Sequence, residues 1–145
     1  MCTVTVVPYD DGLRLVCNRD ERLDRPAAIP PMDYVIRQRT AIYPRDPLGG
    51  GTWIGINDAG LAVALLNRNV DAAQPGDDRP FRSRGLIIPR LLDASATAEA
   101  VDMAAGLNPA LFKPFRLLVL QPMTAVLLTS DGTRSRFRRR AFRSR

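Results

Sequence analysis

From Cys2 to Pro8 the chain alternates in the manner of a strand with one buried face; it turns at Asp10-Asp11-Gly12 and alternates again from Leu13 to Asn18. A period of two marks a half-buried strand, and Asp-Gly marks a tight turn between two of them. Residues 2–18 are therefore expected to form a hairpin. This commits the N-terminus to an antiparallel β layer. It also folds Asn18-Arg19-Asp20-Glu21 back beside Cys2.

Further along, residues 20–33 are charged and proline-rich and read as loop, while Tyr34–Tyr43 holds one or two short strands. Pro44–Gly51 is a loop ending in three glycines. Thr52–Ile56 reads as a strand, Asn57-Asp58-Ala59-Gly60 as a turn, and Leu61–Leu66 as a short buried strand. Residues 69–82, with Pro75-Gly76, read as loop. Ser83 is expected to cap a helix through Leu92, and Ser95 or Thr97 a second one ending near Gly106. Leu117–Gln121 and Ala125–Thr129 read as strands, followed by a turn at Asp131-Gly132. A last strand starts near Thr133 and runs into arginines. Strands, two helices, then strands give an α+β layered class rather than alternating βαβ units. At 145 residues there is one domain, with residues 1–133 as its body and 134–145 as an arginine-rich tail.

Composition narrows the chemistry. There is no histidine, which excludes Ser-His-Asp and Cys-His catalysis within this chain. Two cysteines without histidine cannot close a zinc site, so no metal is expected. Gly49-Gly50-Gly51-Thr52-Trp53 lacks the lysine of a phosphate loop and the spacing of a dinucleotide fingerprint, and no cofactor is expected. The glycines suit a close backbone approach before a strand. The net charge is +6, but residues 134–145 hold seven arginines and no acid, and removing those seven leaves −1. With a single lysine, Lys113, the basic bias looks compositional. Only Phe137 and Phe142 interleave the tail, which argues against a nucleic-acid partner. No secretory signal or membrane-length apolar run is present, so the expected compartment is the cytoplasm.

Cys2 can become N-terminal, because a residue this small permits removal of Met1. One residue would then carry a thiol and a free α-amine, with ordinary pKa values of about 8.5 and about 8. The amine can serve as the base for its own thiol, one of the few ways to activate a nucleophile without histidine. Taken alone, Cys2 reads first as a small strand hydrophobe and only second as a nucleophile. Likewise, Asn18-Arg19-Asp20-Glu21 alone is a solvated charge cluster. Asn67 at a strand end is a turn residue or an oxyanion donor, and Trp53 is a core residue or the wall of a cleft.

Met1-Cys2-Thr3, Asn18-Arg19-Asp20-Glu21, Arg25-Pro26, Gly50–Asn57, Gly60-Leu61, Leu66-Asn67-Arg68 and Ser83-Arg84-Gly85 occur in that order. As an ordered set over roughly residues 1–130 they resemble the NRDE family, which includes the transport and Golgi organisation protein 2 group. That family is similar to N-terminal nucleophile hydrolases, which implies an αββα sandwich. A more distant similarity is to choloylglycine hydrolases and penicillin V acylases, through the Met-Cys-Thr start and the stretch 57–67. The resemblance implies Cys2 as nucleophile and base, Arg19 with Asp20 or Glu21 tuning it, and Asn67 holding the oxyanion. Asn18, Trp53 and Arg68 are the candidate substrate-binding residues beside them.

Two departures follow. The arginine and asparagine of the acylases' Arg-Asn-x-Asp are exchanged at Asn18-Arg19. NRDE proteins also continue where this chain ends in arginines, so the sandwich is expected to be incomplete at the C-terminus, with an open edge favouring a homo-oligomer. The expected function is an N-terminal cysteine hydrolase or acyltransferase acting on a linear amide, inactive if truncation removes part of the site. The alternative is a non-catalytic protein of the same type binding a small hydrophobic or cofactor-like ligand.

Overall fold

The computed structural model describes residues 2–9, 12–68 and 80–141. Strands β1 (Thr3–Tyr9) and β2 (Gly12–Asn18) form the expected hairpin, paired from Tyr9 opposite Gly12 to Thr3 opposite Asn18. They hydrogen-bond to each other in a two-stranded sheet. A second, antiparallel sheet contains β3 (Ile29–Ile36), β4 (Arg39–Arg45), β5 (Ile54–Asn57), β6 (Ala62–Asn67), β7 (Phe115–Gln121), β8 (Thr124–Ser130) and β9 (Ser135–Ala141), in sequence order. Helices α1 (Ile87–Leu91) and α2 (Thr97–Ala105) are inserted between β6 and β7.

The pleat separates the two faces of the large sheet. Ala41, Val63, Leu65, Leu117, Val119 and Leu128 are buried with Ile87, Ile88, Leu91 and Leu92 of α1 and the segment after it. On the other face, Leu13 and Leu15 of the hairpin border an apolar cleft of about 460 Å³ with Ile42, Ile54, Ile56 and Leu120. Gly55 lies between Ile54 and Ile56 and faces the helices, where a Cβ would come within 2.7 Å of Leu92. The layers are helix, large sheet and hairpin: an α+β sandwich with two β layers in contact. Among the described residues, no helix is long and apolar enough to cross a membrane.

Asn57 ties the helical layer to the sheet. Its Nδ2 donates to the carbonyls of Leu92 (2.9 Å) and Ala94 (2.7 Å), and its Oδ1 accepts from Ala59 and Leu61 N–H. The amide is buried and fully used, which is how a buried polar side chain is tolerated. Gly60 takes φ +71° in the same turn, as the Asn-Asp-Ala-Gly pattern predicts.

Several boundaries differ from the sequence reading. The segment expected to be loop becomes strand at Ile29, with Pro30 and Pro31 inside β3. Proline cannot donate to a ladder, but β3 is an edge strand and its register slips between Ile29 and Met32, where the prolines sit. At the other edge, the arginines expected to form a tail are partly strand: Ser135–Ala141 pairs with β8 along its length. Asp131 sets up that turn by accepting from Thr133 and Arg134 N–H groups. The Arg134 bond, then the Thr133 bonds, hold its carboxyl at about 2. The Ser83 helix is shorter than expected, because Arg84–Leu86 is a 3-10 turn and Ser83 makes no capping bond. Most of the expected 69–82 loop, including Pro75-Gly76, and the tip of the Asp10–Gly12 turn lie outside the described residues.

Candidate active site

Cys2 and Cys17 lie diagonally across the β1–β2 ladder on one face, since Cys17 pairs with Val4. Both are half-buried and free. They line a cleft of about 400 Å³ at the open end of the hairpin, together with Arg19, Glu21, Trp53 and Asn67. Five of the eight candidate residues thus meet in one place. Within β2 the pleat turns Cys17 to the cleft and Asn18 away from it, and Arg19 and Glu21 of the segment after the strand also line the cleft. Asn18 and Asp20 are exposed and do not line it. Nor does Arg68, whose backbone N–H donates to the Pro114 carbonyl at 3.1 Å.

Arg19 is the best-anchored of these groups. Its guanidinium lies 4.4 Å from the Trp53 ring centroid, a cation–π contact. It reaches Asp46 Oδ2 at 2.9 Å and Glu21 Oε1 at 3.1 Å. Arg25 also pairs with Asp46, and with Glu21 at 3.5 Å. Asp46 is the hub of this four-member cluster, and the sequence reading did not single it out. In sequence it is one acid in a Pro-Arg-Asp-Pro loop, which reads as a turn.

The loop is built to present that carboxylate. Leu48 N–H donates to Asp46 Oδ1 at 3.1 Å, and Asp46 exchanges backbone hydrogen bonds with Gly50 and Gly51, each 2.8 Å. Gly50 adopts φ +68°, which favours glycine. Gly51 then passes so close to Gly85 that a Cβ would lie 2.2 Å from the Gly85 carbonyl carbon. Thr52 N–H donates to Gly85 O at 3.1 Å across the same crossing. The three glycines therefore serve a close backbone approach, which also seats Ser83, Arg84 and Gly85 on the cleft wall.

Burial raises the Asp46 pKa, but the Arg25 hydrogen bond and the Gly49 and Leu48 amides outweigh it, leaving the carboxyl below its ordinary value. A depressed carboxylate stabilises the fold above its unfolded pKa of about 3.9 and loses that contribution as pH falls through the folded value. Asp46→Asn should therefore cost about 2 kcal/mol at neutral pH, less than for a fully buried pair because both arginines keep some water. Urea midpoints at neutral and acid pH check this: the gap between wild type and variant should narrow as pH falls below the ordinary carboxylate range and Asp46 takes up its proton. A gap that persists unchanged in acid would show that the charge is not responsible.

Cys17 has a thiol pushed up by burial and by the Cys2 charge, with Arg19 opposing. A thiol raised in this way holds less thiolate near neutral pH than a free cysteine, which makes it a poorer nucleophile there. Among the described residues, no three His, Cys, Asp or Glu side chains gather as metal ligands would.

Comparison with known proteins extends this picture. The model of the family described as Transport and Golgi organisation 2 matches residues 1–139. No curated protein gives a significant match. Among solved structures, penicillin V acylase from Agrobacterium tumefaciens matches with a TM-score of 0.55 and 14% identity, covering 95% of this chain and 49% of the acylase. At that identity the likeness is one of fold, the N-terminal nucleophile hydrolase arrangement. This chain spans about half of the acylase's length.

Proposed function

The chain belongs to the Transport and Golgi organisation 2 family, and on that premise we propose that it is an N-terminal cysteine hydrolase or acyltransferase acting on a linear amide C–N bond. One observation carries the reading: Cys2, Arg19 and Asn67 line a single cleft although they come from three separate chain segments. After removal of Met1, the Cys2 α-amine takes the thiol proton and the sulfur attacks the amide carbon. The carbonyl oxygen becomes an oxyanion, to which the Asn67 side-chain N–H donates. The C–N bond breaks, the departing amine takes the proton from the α-ammonium, and a thioester remains on Cys2. Water, or an acceptor amine in a transferase, then cleaves the thioester and restores the thiol. Arg19 places a positive charge beside the reacting end, while Asp46 and Glu21 hold it in position.

Processing and acylation test this directly. Intact mass of the purified chain should show Met1 absent. Brief exposure to a p-nitrophenyl acyl ester should then add one acyl group, mapped by peptide sequencing to Cys2 in preference to Cys17. Retained Met1, or equal labelling of the two cysteines, would remove the basis for the reading.

A second reading has its own support. The apolar cleft under Leu13 and Leu15 is as large as the polar one and would suit a non-catalytic protein holding a small hydrophobic ligand. The two differ in whether Cys2 is required.

A further inference from the structure

The polar cleft carries more positive charge than its ion pairs use. Arg19 and Arg25 are matched by Glu21 and Asp46. The lining adds three more cations, Arg82, Arg84 and Lys113, and no further carboxylate among the described residues. None of the three forms an ion pair with a described residue.

Arg84 is the informative one. It is half-buried, and Nη1 donates to the Pro114 carbonyl at 2.8 Å. Its other donors have no partner among the described residues. Burial draws its pKa down, against the opposing pull of Cys2 and Glu21, which places it in the field of both. Its backbone is pinned by the Gly51–Gly85 crossing and the Thr52–Gly85 hydrogen bond. A guanidinium in a fixed place, partly out of water and with donors to spare, suits two-point pairing with a planar or tetrahedral anion. Arg82 and Lys113 are exposed beside it, and Lys113 sits 5.7 Å from the Phe81 ring centroid. Exposed cations around a cleft raise the local concentration of an anionic ligand.

We propose that this cleft selects an amide carrying a carboxylate or phosphate group, with Arg84 pairing that anion and Arg82 and Lys113 drawing it in. The amide part rests on the hydrolase reading above; the anion part rests on the charge of the cleft alone. The test separates them. The 145-residue chain carrying Cys2→Ala, which cannot turn substrate over, is titrated calorimetrically with three matched probes. These are N-hexanoylglycine, its neutral counterpart N-hexanoylglycinamide, and O-phospho-N-hexanoylethanolamine.

At least one anion should bind about 10-fold or more tightly than the neutral amide, and that preference should shrink as salt rises. Whichever anion binds better identifies the source, carboxylate or phosphate. Adding Arg84→Gln should erase the preference while leaving neutral-amide binding unchanged, and Arg84→Lys should restore part of it. If Arg84→Gln lowers the melting temperature, the exposed pair Arg82→Gln and Lys113→Gln replaces it, with a loss of preference of about 3-fold or more expected. Equal binding of all three probes, no measurable binding of either anion, or a preference that survives loss of these charges overturns the proposal. Hydrolysis by the unsubstituted chain is followed separately. Anion preference without hydrolysis of any probe sinks the hydrolase reading and keeps the anion site. Hydrolysis without anion preference does the reverse.

Discussion

Gly51→Ala is expected to destabilise the fold by about 4 kcal/mol or more, enough to leave little folded protein at 37 °C. The cause is backbone against backbone. The new methyl carbon would sit 2.2 Å from Gly85 C, 2.3 Å from Gly85 O and 2.7 Å from Leu86 N. No side chain can rotate away to relieve this, so the strand-entry loop and the 83–86 segment must separate. Separation breaks the Thr52–Gly85 and Asp46–Gly51 hydrogen bonds and releases the carboxylate that holds Arg19 and Arg25. Gly12→Ala is the control, because a Cβ there meets nothing within 4 Å. It should change stability by no more than about 0.5 kcal/mol. Urea denaturation followed by circular dichroism measures both. Similar midpoints for the two variants would mean that the crossing opens at little cost.

Cys2→Ala should lower amide hydrolysis by at least about 10⁴-fold, to the level set by binding and oxyanion stabilisation alone. The fold should scarcely notice. Cys2 is small and half-buried, and a change within about 1 kcal/mol is expected. Cys17→Ala is the discriminating companion. It removes a thiol from the same cleft but leaves the one residue that can carry both nucleophile and amine, so most of the activity should remain. Initial rates on N-hexanoylglycine decide the matter. Activity that survives Cys2→Ala, or that vanishes only with Cys17→Ala, would reassign the nucleophile.

The hairpin and its partners were legible because local chemistry and tertiary structure agree there. The alternation from Cys2 to Asn18, the Asn57–Gly60 turn and the Asp131-Gly132 turn all appear where expected. Two strands were obscured. Pro30 and Pro31 hide the start of β3, and four arginines hide how far the expected last strand, β9, continues. Both are edges, where the rules for interior strands relax and composition misleads. At the site, Cys2, Arg19, Glu21, Trp53 and Asn67 come together, while Asn18 and Asp20 do not. The parity of Cys17 and Asn18 was available in the sequence; which of Asp20 and Glu21 lines the cleft was not, since both lie beyond β2. Nor was Asp46. Its role depends on Arg19 and Arg25, 27 and 21 residues away, and no local pattern encodes such a partnership. Arg84 lay within a recognised motif, but its unspent donors became visible only once Pro114 and the glycine crossing had fixed it in space.

The hairpin hydrogen-bonds within itself, while Asn67 ends β6 of the seven-stranded sheet and Asp46 and Arg84 lie in segments that follow β4 and β6. Cys2 and the groups facing it across the cleft therefore belong to two separately hydrogen-bonded sheets, joined by side-chain packing and by the Arg19–Asp46 ion pair. Packing of this kind opens locally at a lower free energy than the whole molecule unfolds. Inactivation and denaturation are then distinct events. A chain whose β1–β2 arm has lifted would still give the spectrum of a folded protein, with the Cys2 thiol and amine moved together away from Asn67 and Arg84 across the cleft.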